Sequence, residues 1–247
     1  MIYKYIKIIA VFFLFFSACN NKHSEKKNNE KDEILINKDS SVFIKAKEVP
    51  KKQFPDVDKV LINDSDLVDI TFFTDKFVIS MRYASKDNFL DTVLYPCAKC
   101  LLRFEVVKDL LKAEKEFEEN GFRMKIYDCY RPLWVQQLMW KKLPVPGLVA
   151  NPAGGSRHNR GSAVDVSLVD ASGKELDFGT PHDDFSKMAK TFYTDLPDTV
   201  KANRMYLRRI MQKHHFKGIN SEWWHFSHDC GTKYRVSNKV FNCDSVN

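Results

Sequence analysis

The chain has 247 residues, of which 44% are hydrophobic and 13% aromatic, so it is long enough for one sizeable core and is not an intrinsically disordered protein. Its formal net charge of +7 includes Lys4 and Lys7, which lie in a segment that we expect to be removed, and 7 − 2 leaves +5. The sequence shows neither a clustered basic stripe nor a recognition motif, and we therefore expect no nucleic-acid partner.

Residues 1–19 have the order of a secretory signal peptide. Two lysines precede a run of nine apolar residues, 8–16, and two small residues then precede Cys19. Nine apolar residues are too few to span a bilayer. The ending resembles a bacterial lipobox, which implies lipidation at Cys19 and an exported, membrane-anchored lipoprotein on the periplasmic or cell-surface side. The alternative is a general signal peptide with an incidental cysteine.

Residues 20–55 are dominated by Lys, Glu, Asp, Asn and Ser and offer little to bury. Such a composition predicts a polar, flexible tether. The remaining residues, 56–247, are expected to form the folded domain.

Hydrophobic patterning predicts the elements of this domain. Residues 101–119 place apolar side chains on one helical face before an Asn-Gly stop, and Pro132 suits the first position of another helix. Alternation in 162–168 predicts a half-buried strand that presents Asp165 on one face. In chain order we expect one or two strands in 69–83, a helix over 101–119, a strand over 122–127, a helix over 133–141, a loop over 143–155, a strand over 162–168, a helix over 197–214 and a strand over 223–227. The prediction is a single α+β domain whose mostly antiparallel central sheet is flanked by helices.

The cysteines indicate disulfides more than redox or metal chemistry. Without Cys19 five remain: Cys97, Cys100, Cys129, Cys230 and Cys243. The Cys-x-x-Cys pair lacks a βαβ context and a second such pair, so it is a weak redox or metal signal. Because an exported location permits disulfides, we expect one cysteine of this pair to bridge to Cys129 and Cys230 to pair with Cys243. An odd number leaves at least one thiol unpaired.

Two histidines and one carboxylate suggest a catalytic zinc site. His158, Asp165 and His225 would fill three positions on zinc and leave a fourth open, which distinguishes catalytic from structural zinc. His158 and Asp165 are seven residues apart, so a loop leading into a strand is needed to bring them to one metal. Taken alone, such a pair is more typical of an ordinary surface.

Two further residues add hydrolytic chemistry. Glu222 is a candidate general base, but strand alternation would separate it from His225, so it must stand at the strand entrance or on a kink. Arg131 offers a fixed positive charge for a developing oxyanion, although it could equally form a salt bridge with Asp128. Alternatively, the paired tryptophans 223–224 could be core aromatics that polar residues flank by chance. Together the fragments predict a hydrolase.

In this order the segments resemble the D-Ala-D-Ala dipeptidases of the VanX type, zinc peptidases of the group that includes lysostaphin and sonic hedgehog. Residues 156–165 match that family's S-x-H-x-x-G-x-A-x-D, residues 222–225 match E-x-W-H, and 129–132 resemble its G-Y-R-P segment. Residues 83–89 resemble Y-A-x-x-D-N-F, and 179–185 resemble G-(S/T)-x-F-D. The resemblance spans most of the expected domain.

The resemblance implies a role for each matching residue. His158, Asp165 and His225 match the ligands of one Zn²⁺ per chain. Glu222 matches the catalytic base, and Arg131 matches the arginine that polarises the scissile carbonyl.

It also implies a substrate site. Tyr83 and Asp183 match residues that hold the substrate's ammonium group, and Ser156 matches a residue near its carboxylate. Two positions depart from the family: Cys129 replaces a usual Gly, and His182 replaces a usual Phe. The second departure leaves open whether the neighbouring Asp184 serves in place of Asp183.

The implied function is zinc-dependent hydrolysis of D-alanyl-D-alanine to two D-Ala, with a small D,D-dipeptide as the substrate. One alternative is a D,D-carboxypeptidase acting on peptidoglycan stem peptides, which would need an open amino-terminal side and is disfavoured by Asp183. Another is a non-catalytic, zinc-stabilised binding lipoprotein, which would need neither Glu222 nor Arg131.

Overall fold

The computed structural model describes residues 52–240 and 243. The expected signal peptide over 1–19, the lipidation site Cys19 and nearly all of the tether over 20–55 lie outside the described residues, so these features stay predictions. Within the described part, no helix combines the length and the apolar character needed to cross a bilayer.

Seven strands and three helices make up the described part. They are β1 (Leu67–Asp69), β2 (Val78–Ile79), β3 (Leu101–Arg103), α1 (Phe104–Glu119), β4 (Arg123–Asp128), α2 (Leu133–Lys142), β5 (Ala163–Val169), α3 (Asp198–Lys213), β6 (Phe216–Gly218) and β7 (His225–His228). Five strands form a central sheet in the order β2-β4-β5-β7-β6, and β1 pairs with β3 in a separate two-stranded sheet. Only β2 and β4 pair in parallel. The predicted α+β class with a mostly antiparallel sheet is confirmed.

The helices end close to their predicted limits. Helix α1 begins at Phe104 and not at 101, because the three preceding residues pair with β1 as strand β3. At its other end Gly121 takes a left-handed φ of 81°, which a glycine adopts at little cost, and terminates the helix. Helix α1 packs against α3 and β4, where its buried apolar face joins the core.

Strand β5 is buried along its whole length, so the expectation of a half-buried strand is wrong. It lies between β4 and β7, and Val164, Val166 and Leu168 join the hydrophobic core. The opposite face is covered by polar contacts: Ser167 Oγ lies 2.8 Å from the Tyr127 hydroxyl, and Asp165 meets three histidines. The alternation of polar and apolar residues in β5 therefore corresponds to two buried faces, and the polar face carries the candidate site residue Asp165.

The last strand begins at His225, two residues later than predicted. Trp223 lies before it, stacked on Phe178 with ring centroids 4.3 Å apart, and its indole N–H donates to Thr180 Oγ1 at 2.9 Å. Glu222 therefore precedes the strand, and strand alternation does not constrain it. Glu222 thus lies at the strand entrance, one of the two positions that the sequence required for a base beside His225.

Two disulfides link four of the five described cysteines. Cys100 bonds to Cys129, as expected for one member of the Cys-x-x-Cys pair. The expected pairing of Cys230 with Cys243 is wrong, because Cys243 bonds to Cys97. Cys230 is a free thiol whose pKa is raised to about 12, first by burial and then by the charge of Glu105.

The pairing of Cys243 follows from the path of the C-terminal segment. Ser237 N–H donates to the Asn159 carbonyl at 2.8 Å, and the Ser237 carbonyl accepts from Leu133 N–H at 3.1 Å. The Tyr130 hydroxyl donates to Ser237 Oγ at 3.0 Å. The segment thus runs back along the start of α2 and away from Cys230.

Glu114, on the core-facing side of α1, is buried with one carboxylate oxygen lacking a hydrogen-bond partner among the described residues. The other oxygen accepts from Met124 N–H at 2.8 Å. Burial raises its pKa from 4.5 to about 8. Between these pH values the folded protein holds a proton that the unfolded chain releases, so this group makes the free energy of unfolding fall as pH rises.

We expect Glu114→Gln to gain stability relative to wild type by about 2–4 kcal/mol between pH 5 and pH 8. Urea unfolding at the two pH values measures this difference. The exposed Glu119→Gln on the same helix is the matched control and should track the wild type at both pH values. Parallel pH profiles for Glu114→Gln and wild type would show that Glu114 is ionised in the folded state.

Candidate active site

Three side chains from neighbouring elements converge at one point. His158 lies on a short 3-10 turn before β5, Asp165 lies on β5, and His225 stands directly opposite Asp165 in the β5–β7 pair. Asp165 Oδ1 is 3.2 Å from His158 Nε2 and 3.1 Å from His225 Nδ1, and these two nitrogens are 3.1 Å apart. Gly161, with φ of 70°, closes the turn that carries His158.

The spacing of these atoms fits a metal. Ligands 2.0–2.1 Å from a tetrahedral zinc stand about 3.3 Å from one another. All three residues are buried, and a triad of two imidazoles and a carboxylate is a ligand type that zinc accepts. The residues that the sequence predicted as ligands therefore form a site of suitable size and chemistry.

Hydrogen bonds on the outer side orient both histidines. His158 Nδ1 is 2.7 Å from the Cys129 carbonyl, to which its N–H donates, leaving Nε2 to face the triad. His225 Nε2 is 3.0 Å from Ser227 Oγ, which leaves Nδ1 to face the triad. Such outer partners fix the ring orientation of metal-binding histidines. The disulfide at Cys129 thus lies directly behind one of the predicted ligands.

The Asp165 carboxyl is ionised despite its burial. Burial alone would raise its pKa, but the charge and hydrogen bonds of His158, with hydrogen bonds from His182 and His225, hold the pKa well below its usual value. An ionised carboxylate is the form that binds a metal.

Glu222 stands beside the triad, with Oε2 3.8 Å from His225 Nδ1. Burial raises the pKa of Glu222 to about 7, and the negative charges of Asp165 and Asp183 contribute in the same direction. A carboxyl group with a pKa near neutrality can both accept and return a proton at physiological pH. This position and acidity fit the predicted general base.

Arg131 both forms the salt bridge that the sequence left open and faces the triad. Its Nε and Nη2 lie 2.9 Å and 2.7 Å from Asp128 Oδ2, and Nη1 donates to Gln136 Oε1 at 2.9 Å. Nη2 is also 3.8 Å from Asp165 Oδ2. The guanidinium is therefore fixed on one side and directed toward the predicted metal site on the other.

Sequence reasoning missed two buried polar residues that hold this arrangement. Gln136 connects Arg131 to the Ala150 carbonyl, to which its amide donates at 2.7 Å. Asn159 donates to the Arg131 carbonyl at 2.7 Å and accepts from Ser156 N–H at 2.7 Å. Gln136 lies on helix α2 and Asn159 on the 3-10 turn that carries His158. Amides are ordinarily exposed, so the sequence carried no signal for either.

The predicted ammonium-binding pair lines the same cavity as the triad. The Tyr83 hydroxyl donates to Asp183 Oδ2 at 2.8 Å. Burial, followed by the charge of Asp183, raises the pKa of Tyr83 well above its usual value, so the hydroxyl stays protonated. Asp183 has a left-handed φ of 62°, an uncommon conformation for a residue other than glycine.

The neighbouring acid, Asp184, makes a different contact. Asp184 Oδ1 accepts from Ser186 N–H at 2.7 Å and stabilises the next turn. Asp183, and not Asp184, lines the cavity. Of the two carboxylates that the sequence left open, Asp183 is thus the one that the cavity exposes to a ligand, and its contact with a substrate ammonium stays a prediction.

Ser156 lies at the edge of the site, where its hydroxyl accepts from His158 N–H at 3.2 Å. This contact stabilises the turn that carries His158. The contact of Ser156 with a substrate carboxylate stays a prediction.

One cavity of about 760 Å³ joins all the predicted site residues of the folded domain. Phe89 and Phe185 line it beyond Tyr83, with ring centroids 5.1 Å apart, so the two aromatic-rich motifs of the sequence meet there. The predicted residues on its wall are Tyr83, Arg131, Ser156, His158, Asp165, Asp183, Glu222 and His225. The remaining predicted site residue, Cys19, lies outside the described residues.

Comparisons with known proteins identify the family of the chain. A family model described as D-Ala-D-Ala dipeptidase, Peptidase_M15, matches residues 63–243. A D-alanyl-D-alanine dipeptidase of Escherichia coli K12 is 33% identical over 72% of this chain and 93% of its own length, and one of Enterococcus faecium is 26% identical over 62% and 89%. Among solved structures, the LD-carboxypeptidase LdcB overlaps with 52% of this chain and 59% of its own at a TM-score of 0.36 and 19% identity.

Proposed function

Because the chain belongs to the D-Ala-D-Ala dipeptidase family of M15 peptidases, we propose that it is a zinc-dependent enzyme that hydrolyses D-alanyl-D-alanine to two D-Ala. One observation carries the proposal. A single cavity is lined both by the His158–Asp165–His225 triad with Glu222 and by the Tyr83–Asp183 pair.

We assign one Zn²⁺ per chain to His158, Asp165 and His225. When bound there, zinc would supply Lewis acidity and lower the pKa of a water molecule to about 7. Glu222 accepts the proton as the water oxygen attacks the peptide carbonyl carbon. Arg131 stabilises the negative charge that develops on the carbonyl oxygen.

Cleavage of the carbon–nitrogen bond completes the reaction. Glu222 returns the proton to the leaving amine, so the products are two amino acids and the base is restored. The gain of one water and the loss of one peptide bond balance without an oxidant, a reductant or a second substrate.

The ammonium end explains a preference for dipeptides. A desolvated ammonium group needs acceptors, and Asp183 supplies a carboxylate held by the Tyr83 hydroxyl. In a longer peptide an uncharged amide would replace the ammonium and leave this carboxylate without its partner. In a D,D-carboxypeptidase acting on stem peptides, every substrate would leave this carboxylate without an ammonium partner.

Hydrolysis assays test the proposal. The purified protein should cleave D-Ala-D-Ala, and a chelator should abolish the activity until zinc is restored to about one ion per chain. A pentapeptide ending in D-Ala-D-Ala and N-acetyl-D-Ala-D-Ala, which lack the free ammonium beside the scissile bond, should be cleaved at least tenfold more slowly.

Other outcomes would contradict the proposal. Equal cleavage of the pentapeptide would make the protein a carboxypeptidase. Bound zinc without hydrolysis of any of these peptides, with L-Ala-L-Ala included as the stereochemical control, would make it a binding protein.

We also propose that the enzyme is exported and anchored through a lipid on Cys19, a proposal supported by the order of residues in 1–19 alone. An enzyme in that location would meet dipeptides released outside the cytoplasm, as in peptidoglycan turnover or nutrient scavenging. Metabolic labelling with a fatty acid should label the wild type and not Cys19→Ser. Equal labelling of the two would refute the lipid anchor.

A further inference from the structure

His182, the residue that stands in place of the phenylalanine usual in the resembling family, is buried behind the candidate site. Its side chain is 1% exposed. The imidazole stacks on the Tyr127 ring at a centroid distance of 4.8 Å and meets the Trp224 ring edge-on at 5.3 Å. It is absent from the wall of the large cavity, so it acts on the reaction only through other residues.

Each ring nitrogen of His182 faces a carboxylate with a different task. Nε2 lies 3.4 Å from Asp165 Oδ2, the oxygen that points away from the two other triad residues. Nδ1 lies 3.4 Å from Asp183 Oδ2, the same oxygen that accepts from the Tyr83 hydroxyl. The imidazole therefore spans the distance between the predicted metal site and the predicted ammonium site.

We propose that His182 is a positioning residue that, as an imidazolium with two N–H donors, holds Asp165 for the metal with one nitrogen and Asp183 for the substrate ammonium with the other; the substrate half rests on the proposed function.

The surroundings explain why the ring keeps both contacts. Stacking on Tyr127, at an interplanar angle of 28°, fixes the plane of the imidazole, and Trp224 limits its rotation. A phenylalanine could fill the same aromatic space but would supply no polar atom to either carboxylate. Among the residues that the structure describes, Asp165 Oδ2 would then keep only Arg131 Nη2, at 3.8 Å, as a polar neighbour of opposite charge.

Three variants separate the two contacts. His182→Phe keeps an aromatic ring and removes both nitrogens. His182→Gln places an amide nitrogen near the position of Nε2 and can restore the contact with Asp165. His182→Asn places one near Nδ1 and can restore the contact with Asp183. Tyr127→Phe, which keeps the stacked ring and removes only a hydroxyl that contacts Ser167 and Glu175, is the matched control.

We expect His182→Phe to bind zinc about 10–100-fold more weakly in competition with a chelator, as for the loss of other outer partners of metal ligands. Its KM for D-Ala-D-Ala, measured at saturating zinc, should rise about tenfold. His182→Gln should recover the zinc affinity without the KM, and His182→Asn should recover the KM without the zinc affinity. Tyr127→Phe should match the wild type in both.

The outcomes distinguish this inference from the proposed function. If the wild type is active and His182→Phe keeps its zinc affinity and KM, His182 is not a positioning residue. If all three variants lose both properties equally and their zinc-free forms unfold at equally lowered temperatures, its role is packing alone. If the wild type hydrolyses no D-Ala-D-Ala, the proposed function fails and the substrate half with it, whereas the zinc affinities still decide the contact with Asp165.

Discussion

Replacement of Glu222 by Gln is expected to lower kcat for D-Ala-D-Ala by about 100–10,000-fold without loss of bound zinc, the range typical of a general base. Glu222 Oε2 is 3.8 Å from His225 Nδ1. Glu222 therefore lies beside the triad and is not one of its three members. The amide keeps the size of the carboxyl group but cannot accept a proton from water. Steady-state kinetics together with metal analysis of the purified variant measure both quantities.

The control for Glu222→Gln is another acid on the same cavity wall. Asp229 is exposed and pairs with Lys217 at 2.8 Å, so Asp229→Asn changes the charge of the cavity without touching the triad. We expect its kcat to stay within about twofold of the wild type, as is typical of exposed substitutions. Wild-type turnover in Glu222→Gln would remove Glu222 from the mechanism.

Arg131→Lys is expected to lower kcat about 100–1,000-fold, the usual cost of losing one oxyanion donor. The guanidinium presents its donors in a planar fork that contacts Asp128 and Gln136 and still faces the triad. An ammonium has three donors at a single point and cannot reproduce that geometry. Because the interaction acts in the transition state, kcat and kcat/KM should fall together.

A second variant separates catalysis from stability. Arg131→Ala leaves the fully buried Asp128 carboxylate without its cation, which we expect to lower the free energy of unfolding by about 3–5 kcal/mol. Arg131→Lys keeps a positive charge within reach of Asp128, so its free energy of unfolding should fall by clearly less. Thermal unfolding of both variants checks this order. Normal kcat in a stably folded Arg131→Lys protein would show that the positive charge suffices and the fork is not needed.

The sequence predicted those parts of the site that depend on local pattern. The turn through Gly161 and the strand after it place His158 and Asp165 as expected, and the short gap between Glu222 and β7 allows the base to stand beside His225. The fold class and three helices followed from hydrophobic periodicity in the same way. Each of these features depends on residues close together in the chain.

The features that the sequence did not predict depend on distant contacts. Cys243 bonds to Cys97 because the C-terminal segment returns along Leu133 and Asn159, a path that no local pattern encodes. Strand β5 is buried on both faces because its polar side meets histidines from other segments. The Gln136 amide donates to the Ala150 carbonyl, which lies beyond the end of helix α2, and the helical pattern does not encode this contact.

The C-terminal segment supports the turn of His158 through a hydrogen bond. This support limits how early during synthesis activity can arise. The triad joins His158 to His225 across 67 positions, and the turn that carries His158 is held by Ser237, which is made later still. Contacts between such distant residues form only after the intervening chain has been ordered. A nascent chain therefore lacks a complete set of predicted ligands until His225 has been made, and the turn of His158 lacks this support until Ser237 has been made as well.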